Sequence, residues 1–278
     1  MNIENEYVYD FVSYTIVSHV FTLGYAAMAA GLVFFLVTSS NSHPRYRLSS
    51  ALSAVVMVSA LLELYVISQR WTQAFRWDGE AFVQAETAFS NGYRYMNWSI
   101  DVPVLLTQLL IVMGVTGAAF RRAWALFAGA GLLMVYTGYV GQYYEVERTA
   151  PFWVWGAVST VFFLVILVLV YRVVHGNLPR LPENARGLAK SVWWLLFVSW
   201  MLYPGAYLMP VLIDGTDGVV ARQITYTVAD ITSKVIYGVL LAVIARKVSI
   251  AEGFTDAVPS DVARVRGGIT EVQAPGRV

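Results

Sequence analysis

Seven separate stretches of this chain are each long and apolar enough to cross a lipid bilayer, and that fact limits the possible folds more than any other. A hydrocarbon core of about 30 Å needs about 20 mostly apolar residues in a helix. Stretches at roughly 10–38, 48–73, 91–117, 122–144, 151–174, 190–213 and 219–246 meet that requirement. In lipid every backbone amide must find its partner within the chain, so spans of this length are helices. The expectation is an all-α membrane protein built as a bundle of seven transmembrane helices. Composition agrees: 58% of the 278 residues are hydrophobic and only 13% are charged, against about 25% charged in soluble domains. Too little polar surface remains to cover a water-soluble fold. A net charge of +1 gives no reason to expect a nucleic-acid partner, and the absence of cysteine excludes disulfide and thiol chemistry.

Turn-rich or charged pieces separate the spans: SSNSHPRYR, the segment from Arg76 to Glu86, Arg121-Arg122, EVER, HGNLPRLPENARG and DGTDG. The opening MNIENEYVYD lacks the basic-then-apolar layout of a cleavable signal, so the first span is expected to direct insertion. Residues 251–278 are polar, contain Gly and Pro, and have no apolar period; they are expected to form a flexible cytoplasmic tail after a membrane domain at 10–250. One set of span ends carries Arg45, Arg47, Arg121, Arg122, Arg172, Arg180, Arg186, Lys190, Arg246 and Lys247, and the opposite set is acidic. Positive charge stays inside, which puts the N-terminus outside and the C-terminus in the cytoplasm. No internal repeat stands out, which weighs against inverted-repeat transporters.

Five ionisable residues fall within the spans: Glu63, Arg94, Asp101, Asp230 and Lys234. Charges inside lipid are costly and mark pathways or counter-ions by default. The plain alternative is a set of interhelical ion pairs that only fix packing. On the third span Arg94, Asn97, Asp101 and Gln108 recur at i, i+3, i+7 and i+14, one polar stripe on an otherwise apolar helix. At 1.5 Å per residue that stripe covers about 21 Å. Pro103 lies within it and can bend the helix without breaking it. A polar stripe of this kind is what an ion path needs.

On the last span Asp230 and Lys234 stand one turn apart. A buried lysine, when neutral, is a good amine for a Schiff base with a carbonyl cofactor. Alone the pair is weak evidence, and a structural salt bridge explains it as readily. On the sixth span Trp200, Tyr203 and Tyr207 share a face, with Pro204 to bend the helix. With Trp98 and Trp155 they could box a long conjugated ligand; ordinary aromatic packing is the competing reading.

Taken together these stretches resemble the microbial (type I) rhodopsins, and the likeness extends over all seven spans. The carrying features are Asp230-x-x-x-Lys234 with Ser233 beside it, Arg94-Tyr95-x-x-Trp98 opening the third span, and Trp200-x-x-Tyr203-Pro204 in the sixth. The resemblance implies all-trans-retinal bound covalently to Lys234. It also implies a pocket that includes Trp98, Trp155, Trp200, Tyr203, Pro204, Tyr207 and Ser233. Within that family, Asn97, Asp101 and Gln108 match the Asn-Asp-Gln pattern of the light-driven sodium pumps. VSHVFTLGYA around His19, LSAVVMVSA around Ser53 and Ser59, and GQYYEV around Glu145 resemble the same group.

That likeness implies a cap over the external mouth formed by residues 1–9, His19 at a contact between protomers of a pentamer, and the inner (plasma) membrane as location. It implies an ion path past Ser50, Ser53 and Gln108, transient Na⁺ ligands at Asn97 and Asp230, and an exit past Arg94 towards Glu145 and Arg222. Light would turn retinal from all-trans to 13-cis and pass the linkage proton to Asp101, so that Na⁺ could cross. Two residues depart from the group: Glu63 stands where an apolar residue is usual, and Ser50 replaces an Asn. Glu63, one turn from Ser59, is expected to share a hydrogen bond with Asp101. Three rivals stay open: an outward proton pump, a photosensor signalling to a partner, and a seven-helix receptor or transporter without photochemistry.

Overall fold

The computed structural model describes residues 2–254. Seven long helices form the bundle: α1 Phe11–Thr38, α2 Pro44–Ala74, α3 Gly92–Val112, α4 Gly117–Gln142, α5 Ala150–Asn177, α6 Glu183–Leu212 and α7 Thr216–Ala251. Each has a stretch apolar enough to span a membrane. Every helix packs against the next, and α7 returns against α1 to close the ring. The fold is the all-α seven-helix bundle expected from the apolar pattern. Residues from 255 to the end of the expected tail lie outside the described residues.

Local chemistry sets the helix ends. Asp10 caps α1, its Oδ1 accepting from the amides of Val12 at 2.7 Å and Ser13 at 2.8 Å. Pro44 occupies the first turn of α2, where a missing N–H costs nothing. Gly114 ends the α3 region with φ +67°, a left-handed conformation that glycine adopts without strain. α4 begins at Gly117, so Arg121 and Arg122 fall within its first turns rather than before it. Their long stems let the charged heads reach an interface from there.

Large apolar side chains face outward along the helices. Leu23 and Val33 on α1 are 60% and 61% exposed, and Val154 and Val161 on α5 are each 58% exposed. Apolar surface this extensive is stable only against lipid or another apolar surface. Polar and charged groups run the other way: Arg94, Asp101, Gln108 and Asp230 are each 0% exposed.

The segment between α2 and α3, expected only as a turn-rich connector, forms a short hairpin. β1 Phe75–Trp77 pairs antiparallel with β2 Phe82–Gln84 in the register Phe75↔Gln84 and Trp77↔Phe82. Asp78 closes the turn by accepting from the amides of Glu80 and Ala81, each at 2.9 Å, beside Gly79 with φ +117°. Tyr9 extends the pairing by exchanging backbone hydrogen bonds with Phe82 at 3.0 and 2.8 Å. The hairpin and residues 2–9 sit over a separate aromatic cluster. Trp71 is its centre, with ring centroids of Tyr9, Phe75 and Phe89 at 5.0, 4.6 and 5.4 Å. This end of the bundle is called the cap end below.

Candidate functional site

α7 is not a uniform α-helix. Residues Ile231–Ile236 form a π turn, and Lys234 lies within it. The widened turn presents the amine to α3. Lys234 Nζ donates to Asp230 Oδ1 at 2.7 Å and to Asn97 Oδ1 at 3.1 Å, and lies 3.2 Å from Asp101 Oδ2. The Asp101 contact is an ion pair only, since neither Asp101 oxygen receives a well-directed hydrogen bond. Asn97 Nδ2 donates to Ser59 Oγ at 2.7 Å, which fixes the amide with its oxygen toward the amine. Tyr203 OH donates to Asp230 Oδ1 at 2.8 Å and shares a hydrogen bond with Ser233 Oγ at 2.9 Å.

Arg94 completes this inner cluster. Its Nη1 donates to Asp230 Oδ2 at 2.9 Å and lies 3.8 Å from Glu63 Oε1, and its guanidinium rests 5.0 Å from the Tyr226 ring centroid. Glu63 therefore differs from expectation. It faces Arg94, neither of its oxygens makes a hydrogen bond, and the hydrogen bond expected to Asp101 is not made. The nearby guanidinium attracts the carboxylate, whereas a like-charged Asp101 repels it. The inner cluster holds two cations, Lys234 and Arg94, against three carboxylates, Asp101, Asp230 and Glu63. With all five ionised it is one positive charge short.

Beyond Lys234, away from the cap end, Ser53 Oγ donates to Gln108 Oε1 at 2.8 Å and both side chains are buried. Ser50 is buried one turn away on α2. Towards the cap end a second cluster surrounds Arg222. Its Nη1 donates to Glu4 Oε1 at 3.2 Å and its Nη2 to Glu145 Oε2 at 2.9 Å. Glu145 Oε1 also accepts from the Ile3 amide at 2.9 Å, and Asn5 bonds Phe89 through both side-chain atoms at 3.0 and 2.8 Å. Burial pushes the Glu145 carboxyl above the usual carboxylate range, a tendency that Arg222 opposes and Glu4 reinforces. Outside the spans, backbone amides at Ser13 and Val12 hold the Asp10 carboxyl below its ordinary value.

A long apolar pocket begins at Lys234. Tyr95, Trp98, Asp101, Val102, Leu105, Met134, Gly138, Gly156, Ser159, Phe163, Trp200, Tyr203, Pro204, Tyr207, Tyr226 and Ser233 line it, enclosing about 850 Å³ of empty space including its open end. One buried amine at the end of an apolar tunnel with two tryptophans in its walls suits a long conjugated aldehyde. The buried Trp98 Nε1 has no partner. Trp155 is a correction: it is 37% exposed and does not line the pocket. The next residue, Gly156, faces the cavity instead, since one helical step turns a side chain by about 100°.

His19 is exposed on the outer face of α1. Sequence reasoning missed Glu4, Asn91 and Gln223, three buried polar residues that join the clusters. For Gln223 a signal existed, because it stands seven residues before Asp230 and so on the same face of the helix.

These features define a class: a seven-helix bundle of membrane-spanning length with an apolar pocket ending at a buried lysine paired with two carboxylates. The sequence over residues 15–248 matches the family model described as bacteriorhodopsin-like protein. The chain belongs to that family, the microbial rhodopsins, whose members carry retinal on a lysine through a Schiff base. It is 29% identical over 152 residues to cruxrhodopsin-1 of Haloarcula argentinensis, a match covering 53% of this chain and 59% of that protein. It thus spans less than two thirds of that relative's length. Among solved structures it is similar to a thermophilic rhodopsin, at 31% identity and TM-score 0.82, covering 89% of this chain and 99% of the other. Xanthorhodopsin, described as a light-driven ion pump with dual chromophore, gives 30% identity, the same coverage and TM-score 0.82.

Proposed function

We propose that this protein is a light-driven pump that exports Na⁺ from the cytoplasm across the plasma membrane. In this reading the cap end faces outward and the C-terminus lies inside. The observation that carries it is the set of groups around the Lys234 amine. Carboxylates Asp101 and Asp230 and the amide Asn97 surround it, and a second amide, Gln108 held by Ser53, lies beyond it.

Retinal bound through Lys234 supplies light absorption and a change of shape at the amine. The residues do the rest. In the resting arrangement the protonated Lys234 Nζ is a buried positive charge lying among Asp230, Asn97 and Asp101. A cation ~4 Å from that charge is repelled by about 4 kcal/mol at an effective dielectric near 20, enough to close the path. When Asp101 Oδ2 takes the proton, both members of that pair are neutral. Arg94 then faces Asp230 and Glu63, and the cluster still lacks one positive charge, which a sodium ion supplies. Asn97 Oδ1 and Asp230 Oδ1, released from the amine, are the oxygens to bind it. Return of the proton to Nζ restores the barrier behind the ion.

Gln108 supports sodium over proton transport, because an amide neither gives nor takes a proton on the cytoplasmic side. The outer cluster, Glu4 and Glu145 against Arg222, is also one positive charge short and favours a departing cation. Capping by residues 2–6 is consistent with control at that exit. His19, on the outer face of α1, is proposed to meet a neighbouring protomer in a pentamer.

An outward proton pump is the second reading, favoured by the short contact between Lys234 and Asp101. Illuminating cells in NaCl and in KCl, with and without a protonophore, separates the two. Sodium export gives passive alkalinisation in NaCl that grows with protonophore. Acidification abolished by protonophore in both salts would reject sodium export.

A further inference from the structure

Between the inner and outer clusters stands one amide, Gln223, which is 0% exposed. Its Oε1 accepts from Arg94 Nη2 at 3.1 Å. Its Nε2 donates to Glu4 Oε1 at 2.9 Å and to Asn91 Oδ1 at 3.1 Å. Asn91 in turn donates to the same Glu4 oxygen at 2.6 Å. Every bond fixes the amide one way round, with oxygen toward the guanidinium and NH₂ toward the carboxylate. Among the described residues, side-chain hydrogen bonds thus run from Lys234 through Asp230, Arg94 and Gln223 to Glu4, and on through Arg222 to Glu145.

We infer that Gln223 sets the ion specificity of the exit: it keeps the protons of the inner carboxylates from reaching the acids of the cap while leaving the way open to a metal cation. The inference rests on the sodium-export reading and adds to it. For Na⁺ to be the exported ion, the proton on Asp101 must go back to Lys234 and not outward. Outward loss is eased by a carboxylate in direct contact with Arg94 on its outer side, because that group can take a proton or give one up as the guanidinium charge moves. Glu4 is the carboxylate on that side, and the amide separates it from Arg94. An amide cannot hold an extra proton near neutral pH or release one. A passing sodium ion needs only oxygen ligands, and uncharged oxygens serve it without trapping it. Gln223 thus repeats, on the outward side, the chemistry of Gln108 on the inward side.

Replacing the amide by a carboxylate removes the break. Gln223→Glu puts an acid within hydrogen-bond distance of both Arg94 and Glu4, and two such buried carboxylates hold a shared proton. The test uses the full chain with retinal in illuminated cells, comparing wild type, Gln223→Glu and Gln223→Met in NaCl. The readout is protonophore-abolished acidification relative to sodium export. Gln223→Glu is expected to raise that ratio about tenfold, equivalent to about 1.4 kcal/mol off the barrier to proton loss. Gln223→Met, which lacks all three hydrogen bonds and any titratable group, is expected to add no protonophore-abolished acidification.

An unchanged ratio in Gln223→Glu, or an equal rise in Gln223→Met, would overturn the inference. If Gln223→Glu fails to form pigment, Gln223→Asp places a carboxyl at the same position beside Glu4 and carries the same expectation. Failure of both to assemble counts against the inference, because an amide needed only for packing explains that outcome. Wild-type cells that acidify in both salts would reject the sodium reading itself, an outcome separate from any behaviour of the variants.

Discussion

Arg222→Gln is the sharpest test of the outer cluster. Arg222 is 1% exposed and holds Glu4 at 3.2 Å and Glu145 at 2.9 Å. At an effective dielectric near 20 each contact corresponds to about 5–6 kcal/mol of attraction, offset by desolvation of the three groups. Removing the cation leaves two buried carboxylates unpaired, and breaking a buried pair in this way typically costs about 3–5 kcal/mol. At about 2–4 °C per kcal/mol, thermal bleaching of the pigment should fall by about 6–20 °C.

The loss should depend on pH with a definite sign. Burial already holds the Glu145 carboxyl above its ordinary value, and without Arg222 less opposes that shift. A carboxyl whose folded value is raised destabilises the fold as pH climbs from the unfolded value through the folded one. Arg222→Gln should therefore bleach closer to wild type near pH 5, just above the ordinary glutamate value of about 4.3, than near pH 8. Adding Glu145→Gln should recover part of the loss at the higher pH. A loss that is the same at both pH values, or no recovery in the double variant, would show that Arg222 does not act by charge pairing.

Other expectations follow from single contacts. Asp10→Ala should lower bleaching temperature by a few degrees, from about 1 kcal/mol of lost capping, while Asp10→Asn keeps the acceptor and should be nearly silent. Since backbone amides hold the Asp10 carboxyl low, its contribution is present above the ordinary carboxylate range and is lost as pH falls through its folded value. Glu63→Gln should move the pH at which the absorption maximum shifts, because it strips Arg94 of one of two carboxylate neighbours; an unmoved spectral titration would place Glu63 outside the cluster. Ser53→Ala should slow sodium uptake with little change in the dark spectrum, since its hydroxyl orients Gln108 and does not line the pocket; unchanged turnover in NaCl would reject that role.

Much of the fold was readable because lipid imposes a simple rule. Each span must be about 20 apolar residues long, so the seven helices follow from hydropathy alone. The i, i+3, i+7 spacing likewise placed Arg94, Asn97 and Asp101 on one buried face. Helix ends were harder. Arg121 and Arg122 read as a connector yet sit inside α4, because a charged head on a long stem can lie beyond its own backbone. Trp155 was misplaced by one helical step, a rotation that composition cannot reveal when Gly156 beside it faces the cavity. The network of Glu4, Asn91 and Gln223 joins residues up to 219 positions apart, and no local period encodes such contacts. The π turn at Ile231–Ile236 is also invisible to a 3.6-residue reading.

The most direct test of proton transfer from Lys234 as the gate is ion transport by Asp101→Asn in illuminated cells in NaCl with protonophore. An asparagine cannot take the proton that lies 3.2 Å away on Lys234 Nζ, so the barrier to sodium stays up. Pigment should form and light-driven alkalinisation should vanish. Sodium export at the wild-type rate in that variant would contradict the mechanism.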